Sequence, residues 1–204
     1  MLLLPNLLDL LRRSRKRSVV KNLKRIAIGV LSAALVLVCA GAGFLGLAVH
    51  RIASRMQAPA LRSEPKAGAD LVYRTLDGNV QHLSDNRGHV VFLNLWGTWC
   101  IPCVAEMPRL QKLYDHYRGD STVRFLIVSR LDTPDRVRLF AREGGFTLPF
   151  YVTHDRDIPE SMRFGQYPST FVFGKDGRLV SQHIGPADWS DASVFSFLDS
   201  LRSQ

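Results

Sequence analysis

The sequence predicts an α/β fold, a central mixed β-sheet flanked by helices, preceded by one transmembrane helix. Three observations carry that prediction. From about residue 67 onward, β-rich runs alternate with helical segments, the pattern of a layered α/β domain. Before them stands Ile26–Val49, 24 consecutive uncharged and nearly all apolar residues. Between a β-rich run and a helical one lie two cysteines, Cys100 and Cys103, spaced Cys-x-x-Cys.

In chain order, residues 1–25 form a basic N-terminal segment with net charge +7. Its first eleven residues are Leu-rich and suit a membrane interface, although Pro5 interrupts any early helix. Residues 26–49, as a helix rising ~1.5 Å per residue, reach about 36 Å, enough to cross a ~30 Å hydrocarbon core with tilt. Eight bases precede the span and four follow it within residues 50–66, so the N-terminus is expected in the cytoplasm and the C-terminal domain outside. A cleavable leader is the alternative. Ala40-Gly41-Ala42 fits a cleavage pattern, but the apolar run continues through Phe44–Val49, which favours a retained anchor. Cys39 reads as an apolar thiol within the span, because Val38 stands where a lipoprotein site needs a small residue.

Residues 50–66, with two prolines and scattered charge, read as a juxtamembrane linker, and residues 67–204 as one domain. The runs Leu71–Leu76 and Val80–Leu83 flank Asp77-Gly78, a hairpin signal. His89–Leu95 has the apolar continuity of a buried central strand. A helix is expected from about Cys100 to Tyr117, kinked at Pro108. Val123–Val128 is a further strand. Thr133 and Pro134 open a helix that Gly144-Gly145 closes. Pro149–Thr153 is a strand and Ile158–Phe164 a short helix. Ser169–Phe173 and Arg178–His183 form a hairpin around Lys175-Asp176-Gly177, and Ser190 or Asp191 caps a last helix to about Arg202. The chain shows no internal repeat.

The chain's 204 residues carry a net charge of +9, which invites a nucleic-acid reading. The distribution excludes it, since residues 67–204 sum to −1 and the basic residues bracket the span. A hydrophobic fraction of 46% excludes wholesale disorder, and three cysteines cannot build a disulfide-dense scaffold.

Cys100 sits where a helix N-terminus aims free N–H groups and the positive dipole end at it. That favours the thiolate, the species that attacks disulfides. Cys103 lies one turn further in, placed to resolve a mixed disulfide. A zinc site is the rival use of Cys-x-x-Cys. It needs four ligands, the third cysteine lies in the span, and His82, His89, His116, His154 and His183 show no ligand spacing. No metal or cofactor is therefore expected beyond the redox-active disulfide itself. Nor does Trp-Cys-x-x-Cys resemble the Thr/Pro-rich loop of a peroxidatic cysteine.

The segment NLWGTWCIPCVAEMPRL resembles the active-site segment of the TlpA/ResA-like thiol–disulfide oxidoreductases of the thioredoxin superfamily. The resemblance extends over Leu71–Trp189. LDGNVQHLSDNRGHVVFLNLW looks like the family's opening hairpin and central strand, Tyr167-Pro168-Ser169-Thr170-Phe171 like its cis-proline loop, and Gly174–Arg178 like the hairpin that follows. It implies a thioredoxin-like fold, with Cys100 as attacking thiolate and Cys103 as resolving thiol. Pro168 is then the cis-proline facing the disulfide, and the backbone before it pairs with an extended client segment. Tyr167 and Ser169 flank it; small or aliphatic residues more often precede this proline, so Tyr167 bears on partner choice. Trp96 and Trp99 pack around the disulfide and, with Pro102, Tyr167, Pro168 and Ser169, are expected to form the substrate-binding surface. Pro102, between the cysteines, belongs to the reducing end of the family range.

Asn94 stands where ordinary thioredoxins carry a buried aspartate. Glu106 lies three residues after Cys103 on the same helix face, positioned to accept its proton, and the matching glutamate of ResA-like proteins belongs to the active site. A solvated glutamate in a surface ion pair is the plainer reading of Glu106. The resemblance further implies an inner-membrane protein with a periplasmic domain that reduces client disulfides, apocytochrome c among them, and is recharged by an integral-membrane thiol relay. The alternatives are a disulfide oxidase or isomerase, and a non-catalytic module holding a partner or copper.

Overall fold

The computed structural model describes residues 29–204 apart from Ala33. The basic segment 1–25, with the eight bases that precede the expected span, and the start of that span lie outside the described residues. Contacts divide the chain into two units, residues 1–48 and 49–204. Helix α1, Gly29–Ser54, has a mean hydropathy of 2.3 over its most apolar 18 residues and is long and apolar enough to cross a membrane. Its large side chains are bare, Leu31 at 70%, Leu37 at 73% and Phe44 at 76% exposure. In water that is a costly surface.

The second unit is built on seven strands: β1 (Val72–Thr75), β2 (Val80–His82), β3 (Val90–Trp96), β4 (Val123–Arg130), β5 (Phe150–Thr153), β6 (Ser169–Phe173) and β7 (Leu179–Ile184). They form one mixed sheet in the order β2-β1-β5-β4-β3-β6-β7. β3 pairs parallel to β4 and antiparallel to β6, and all seven of its residues are buried, as a strand covered on both faces requires. Its side chains alternate between two cores. Phe92 and Trp96 join the core fed by α2 (Ile101–Tyr117), α3 (Pro134–Gly144) and α4 (Ala192–Arg202). Val91, Leu93 and Leu95 join a second core with Leu71, Leu83, Ile158, Met162 and Phe171.

Caps fix the helix ends. Cys100 caps α2 with its sulfur, Thr133 caps α3 ahead of Pro134, and Asp191 rather than Ser190 caps α4. Gly145 closes α3 at φ +66°, a conformation that costs a side chain dearly. α2 runs unbroken through Pro108.

The short helix expected over Ile158–Phe164 does not form. Two 3₁₀ turns, Asp155–Asp157 and Glu160–Met162, stand there instead. Pro159 separates them: it disfavours helical backbone at Ile158, which is extended at φ −87°, ψ 120°. A third 3₁₀ turn, Leu83–Asn86, takes up the end of the run expected as strand Val80–Leu83. The chain also joins the folded unit before Ala67. The Glu64 amide donates to the Val180 carbonyl at 2.9 Å, and Lys66 and Leu179 exchange hydrogen bonds at 2.8 and 3.1 Å. These residues cover the outer edge of β7, a position the proline-rich composition of 50–66 does not suggest.

Candidate active site

Strand β3 ends at Trp96, and the three residues Gly97, Thr98 and Trp99 turn the chain into α2. The Cys100 amide donates to the Gly97 carbonyl at 3.1 Å, closing that turn. Cys100 and Cys103 are joined as a disulfide with Cα atoms 5.2 Å apart. Cys100 is 6% exposed and Cys103 is completely buried, so the pair meets solvent through Cys100. The Cys103 amide donates to Cys100 Sγ at 3.3 Å. A Cys100 thiolate in this position accepts the same hydrogen bond at the positive end of α2, and both effects favour ionisation.

Asp132, at the end of β4, holds the turn. Its carboxylate accepts from the Thr98 amide at 2.8 Å, from Thr98 Oγ1 at 2.8 Å and from Ser129 Oγ at 2.6 Å, with Arg136 Nε 3.5 Å away. Gly97 permits a second close approach: a Cβ there would stand 2.4 Å from Trp99 Nε1, so the indole lies across its backbone. That indole donates to the Arg130 carbonyl at 3.2 Å and meets the Tyr167 ring edge-on at 5.7 Å. Arg130 lies 5.2 Å from the Tyr167 ring centroid and pairs with Asp155. Trp99, Ile101 and Leu131 are exposed apolar side chains of the turn, the helix start and the loop after β4.

The Tyr167–Pro168 bond is cis. The pairing Leu95↔Ser169 brings this loop to the end of β3 that carries the disulfide. Pro168 and Ser169 are buried, Tyr167 and Pro102 are half-buried. The Pro168 carbonyl accepts from the Gly185 amide at 2.8 Å, and Ser169 Oγ donates to the Gln166 carbonyl at 2.6 Å. Ser169 thus serves the loop's own geometry. Trp96 needs a correction as a client-contacting residue. It is 0% exposed and packs between Phe140 and Phe150, with centroids at 4.9 and 5.3 Å, so it shapes the core beneath the turn and meets no client.

Glu106 is also 0% exposed, which excludes the solvated ion-pair reading. One carboxylate oxygen accepts from Asn94 Nδ2 at 2.9 Å. The other accepts from Trp189 Nε1 at 2.9 Å and the Ala187 amide at 3.1 Å. Asn94 Nδ2 donates also to Thr170 Oγ1 at 2.9 Å, linking the network to β6. Burial pushes the Glu106 carboxyl up to about 8, against the pull of those donors and of Arg109. The group therefore exchanges a proton near neutral pH, three residues from the inner cysteine on the same helix face.

The sequence-based reading gives no site role to Ala187, Trp189, Thr170, Asp132 or Arg109. One signal points to Trp189: the chain has three tryptophans, and the other two stand at the motif, Trp99 in the turn and Trp96 in the core beneath it.

Comparison with known proteins agrees with this geometry. The model of the AhpC/TSA family matches residues 58–182. The chain is 34% identical over 120 residues to the thiol-disulfide oxidoreductase ResA of Bacillus thuringiensis, covering 59% of this chain and 69% of that protein. It is 37% identical over 110 residues to the protein of the same name from Geobacillus kaustophilus, covering 54% and 63%. A crystal structure from Bacteroides vulgatus, described as a candidate thiol-disulfide oxidoreductase, superimposes with a TM-score of 0.58 at 28% identity, covering 68% of this chain and 96% of that one.

Proposed function

The chain belongs to the AhpC/TSA family of the thioredoxin superfamily and is a thiol–disulfide oxidoreductase, and from that premise we propose that it acts as a membrane-anchored, extracytoplasmic reductant of client disulfides. The observation that carries this reading is the pairing of Cys100, which caps the mouth of α2, with a buried, proton-exchanging Glu106 three residues beyond Cys103.

In the reduced protein the Cys100 thiolate attacks one sulfur of a client disulfide. A Cys100–client disulfide forms, the client S–S bond breaks, and the client's other sulfur leaves as a thiolate that takes up a proton. Cys103 then passes its proton to the Glu106 carboxylate and attacks Cys100 Sγ. The mixed disulfide breaks, the client's second sulfur leaves, and the Cys100–Cys103 disulfide closes. Two electrons have moved to the client. Trp99, Ile101 and Tyr167 receive its backbone and side chains around the point of attack.

The protein leaves each cycle oxidised, so an integral-membrane thiol relay is its electron donor in this reading. The apolar helix α1 supports the anchor, since its bare surface suits lipid and not water. The resemblance of the Trp96–Pro108 tract supports the client class, which includes apocytochrome c with its Cys-x-x-Cys-His thiols.

Two measurements test these points. Redox titration of the full chain is expected to give a potential near thioredoxin's, about −270 mV; a value near about −120 mV would make it an oxidant. An alkaline phosphatase reporter fused after Ser63 is expected to be active. If instead a reporter that works only in the cytoplasm is active there, the orientation is reversed.

A further inference from the structure

The network around Glu106 does not end with its hydrogen-bond donors. Asp188 lies between Ala187 and Trp189, the two residues that hold one Glu106 oxygen, and it points the other way, to Arg109 of α2 at 3.3 Å. Arg109 is one turn beyond Glu106 on the same helix face. Both members of this pair are tied to one further stretch of chain. Arg109 Nη2 donates to the Ala53 carbonyl at 2.7 Å, in the last turn of α1, and the Asp188 amide donates to the Gln57 carbonyl at 2.8 Å. Two main-chain carbonyls four residues apart thus receive the arginine whose charge acts on Glu106 and the loop that donates to it.

We propose that Arg109 is a positioning residue of the redox site and that the segment Ala53–Gln57 is what aims it. The Ala53 carbonyl and the Asp188 carboxylate hold the guanidinium toward the Glu106 network, so the end of the apolar helix forms part of the proton-transfer machinery. The inference rests on the reading of Glu106 as the acceptor of the Cys103 proton.

The physical reason is charge. A cation near a buried carboxylate favours its ionised form, and Arg109 acts on Glu106 in that direction. The other groups that face Glu106 do not supply a positive charge. They are Cys103 from α2, Asn94 from β3, and Ala187 and Trp189 from the loop. Asp188 is the anion that pairs with Arg109. His183 of β7, whose ring lies 5.6 Å from Trp189, is held below its ordinary value by burial and is neutral at the pH of interest. Without Arg109 in place, Glu106 holds its proton to higher pH and takes the Cys103 proton less readily.

The test uses the full chain in detergent micelles, with Cys100 carried as a mixed disulfide with glutathione. Release of glutathione by Cys103 is followed as a function of pH. Arg109→Met is expected to move the midpoint of that profile upward by about half a unit or more, and Arg109→Lys to restore most of it. Ala53→Pro, which disrupts the last turn of α1, is expected to move it in the same direction. Glu106→Gln is expected to remove the inflection. If Glu106→Gln keeps the inflection, the reading of Glu106 fails and the inference with it. If Glu106→Gln removes it while Arg109→Met leaves the midpoint unmoved or lowers it, the inference alone is wrong. An upward shift in Arg109→Met with none in Ala53→Pro overturns the part assigned to the helix end.

Discussion

Cys100→Ser is expected to lower client-disulfide reduction at least about a thousandfold, the scale on which loss of a nucleophile is felt. Cys103→Ser is expected to stop turnover at a different point. Cys100 still attacks, because its sulfur retains the Cys103-position amide and the end of α2, but nothing displaces the client. The two variants should therefore be equally inactive in turnover and unlike in a single encounter: the first forms no adduct and the second accumulates one. Reduction of a disulfide-bonded reporter protein, followed by mass analysis of the enzyme, separates them. Equal inactivity without an adduct in either would leave the exchange mechanism unsupported.

Glu106→Gln carries the second large effect, on rate and on stability together. At about pH 8 and above, where the Glu106 carboxylate is present, the resolving step should slow by about a hundredfold or more, the range of a positioned proton acceptor. The stability effect follows from the same burial. The folded protein holds the Glu106 proton up to about pH 8, whereas the ordinary value for the group is 4.5. Between those values the folded state binds a proton that the unfolded chain has released, so stability falls as pH rises through that window and levels off above it. Glu106→Gln is neutral throughout and lacks this slope. Thermal unfolding should show the variant gaining on the parent protein from about pH 5 to about pH 8, by on the order of a few kcal/mol at the upper end. Parallel melting curves for the two proteins across that range would mean that Glu106 is already ionised in the fold.

The strands and helices that carry the site were legible because their signals are local. Thr133-Pro134 and Asp191 announce helix starts by capping chemistry, and the unbroken apolar run of β3 announces a strand buried on both faces. The cysteine pair was legible for the same reason, lying at a junction whose geometry follows from its neighbours. Ile158–Phe164 failed because the apolar spacing outweighed Pro159, whose constraint falls on the residue before it. Trp96 adjoins the motif and so reads as part of the client surface, yet it ends a strand whose side chains alternate into the cores.

The Glu106 environment was half legible. Its place on the face of Cys103 follows from helical periodicity, but its complete burial depends on Trp189 and Ala187, more than eighty residues away in sequence. No local pattern encodes that meeting. Arg109 and Asp132 were missed likewise: an arginine in a helix and an aspartate after a strand are ordinary surface residues until the fold brings Asp188 to one and Thr98 to the other.

The most direct test of exchange through Cys100 and Cys103 is capture of the reaction intermediate. Full-length Cys103→Ala is expressed in its own membrane, free thiols are blocked with N-ethylmaleimide, and the protein is purified under non-reducing conditions. A client should remain attached through Cys100, be released by dithiothreitol, and be absent from the Cys100→Ser/Cys103→Ala double variant. Recovery of Cys103→Ala with no disulfide-linked protein, or with the same partners in the double variant, would contradict it.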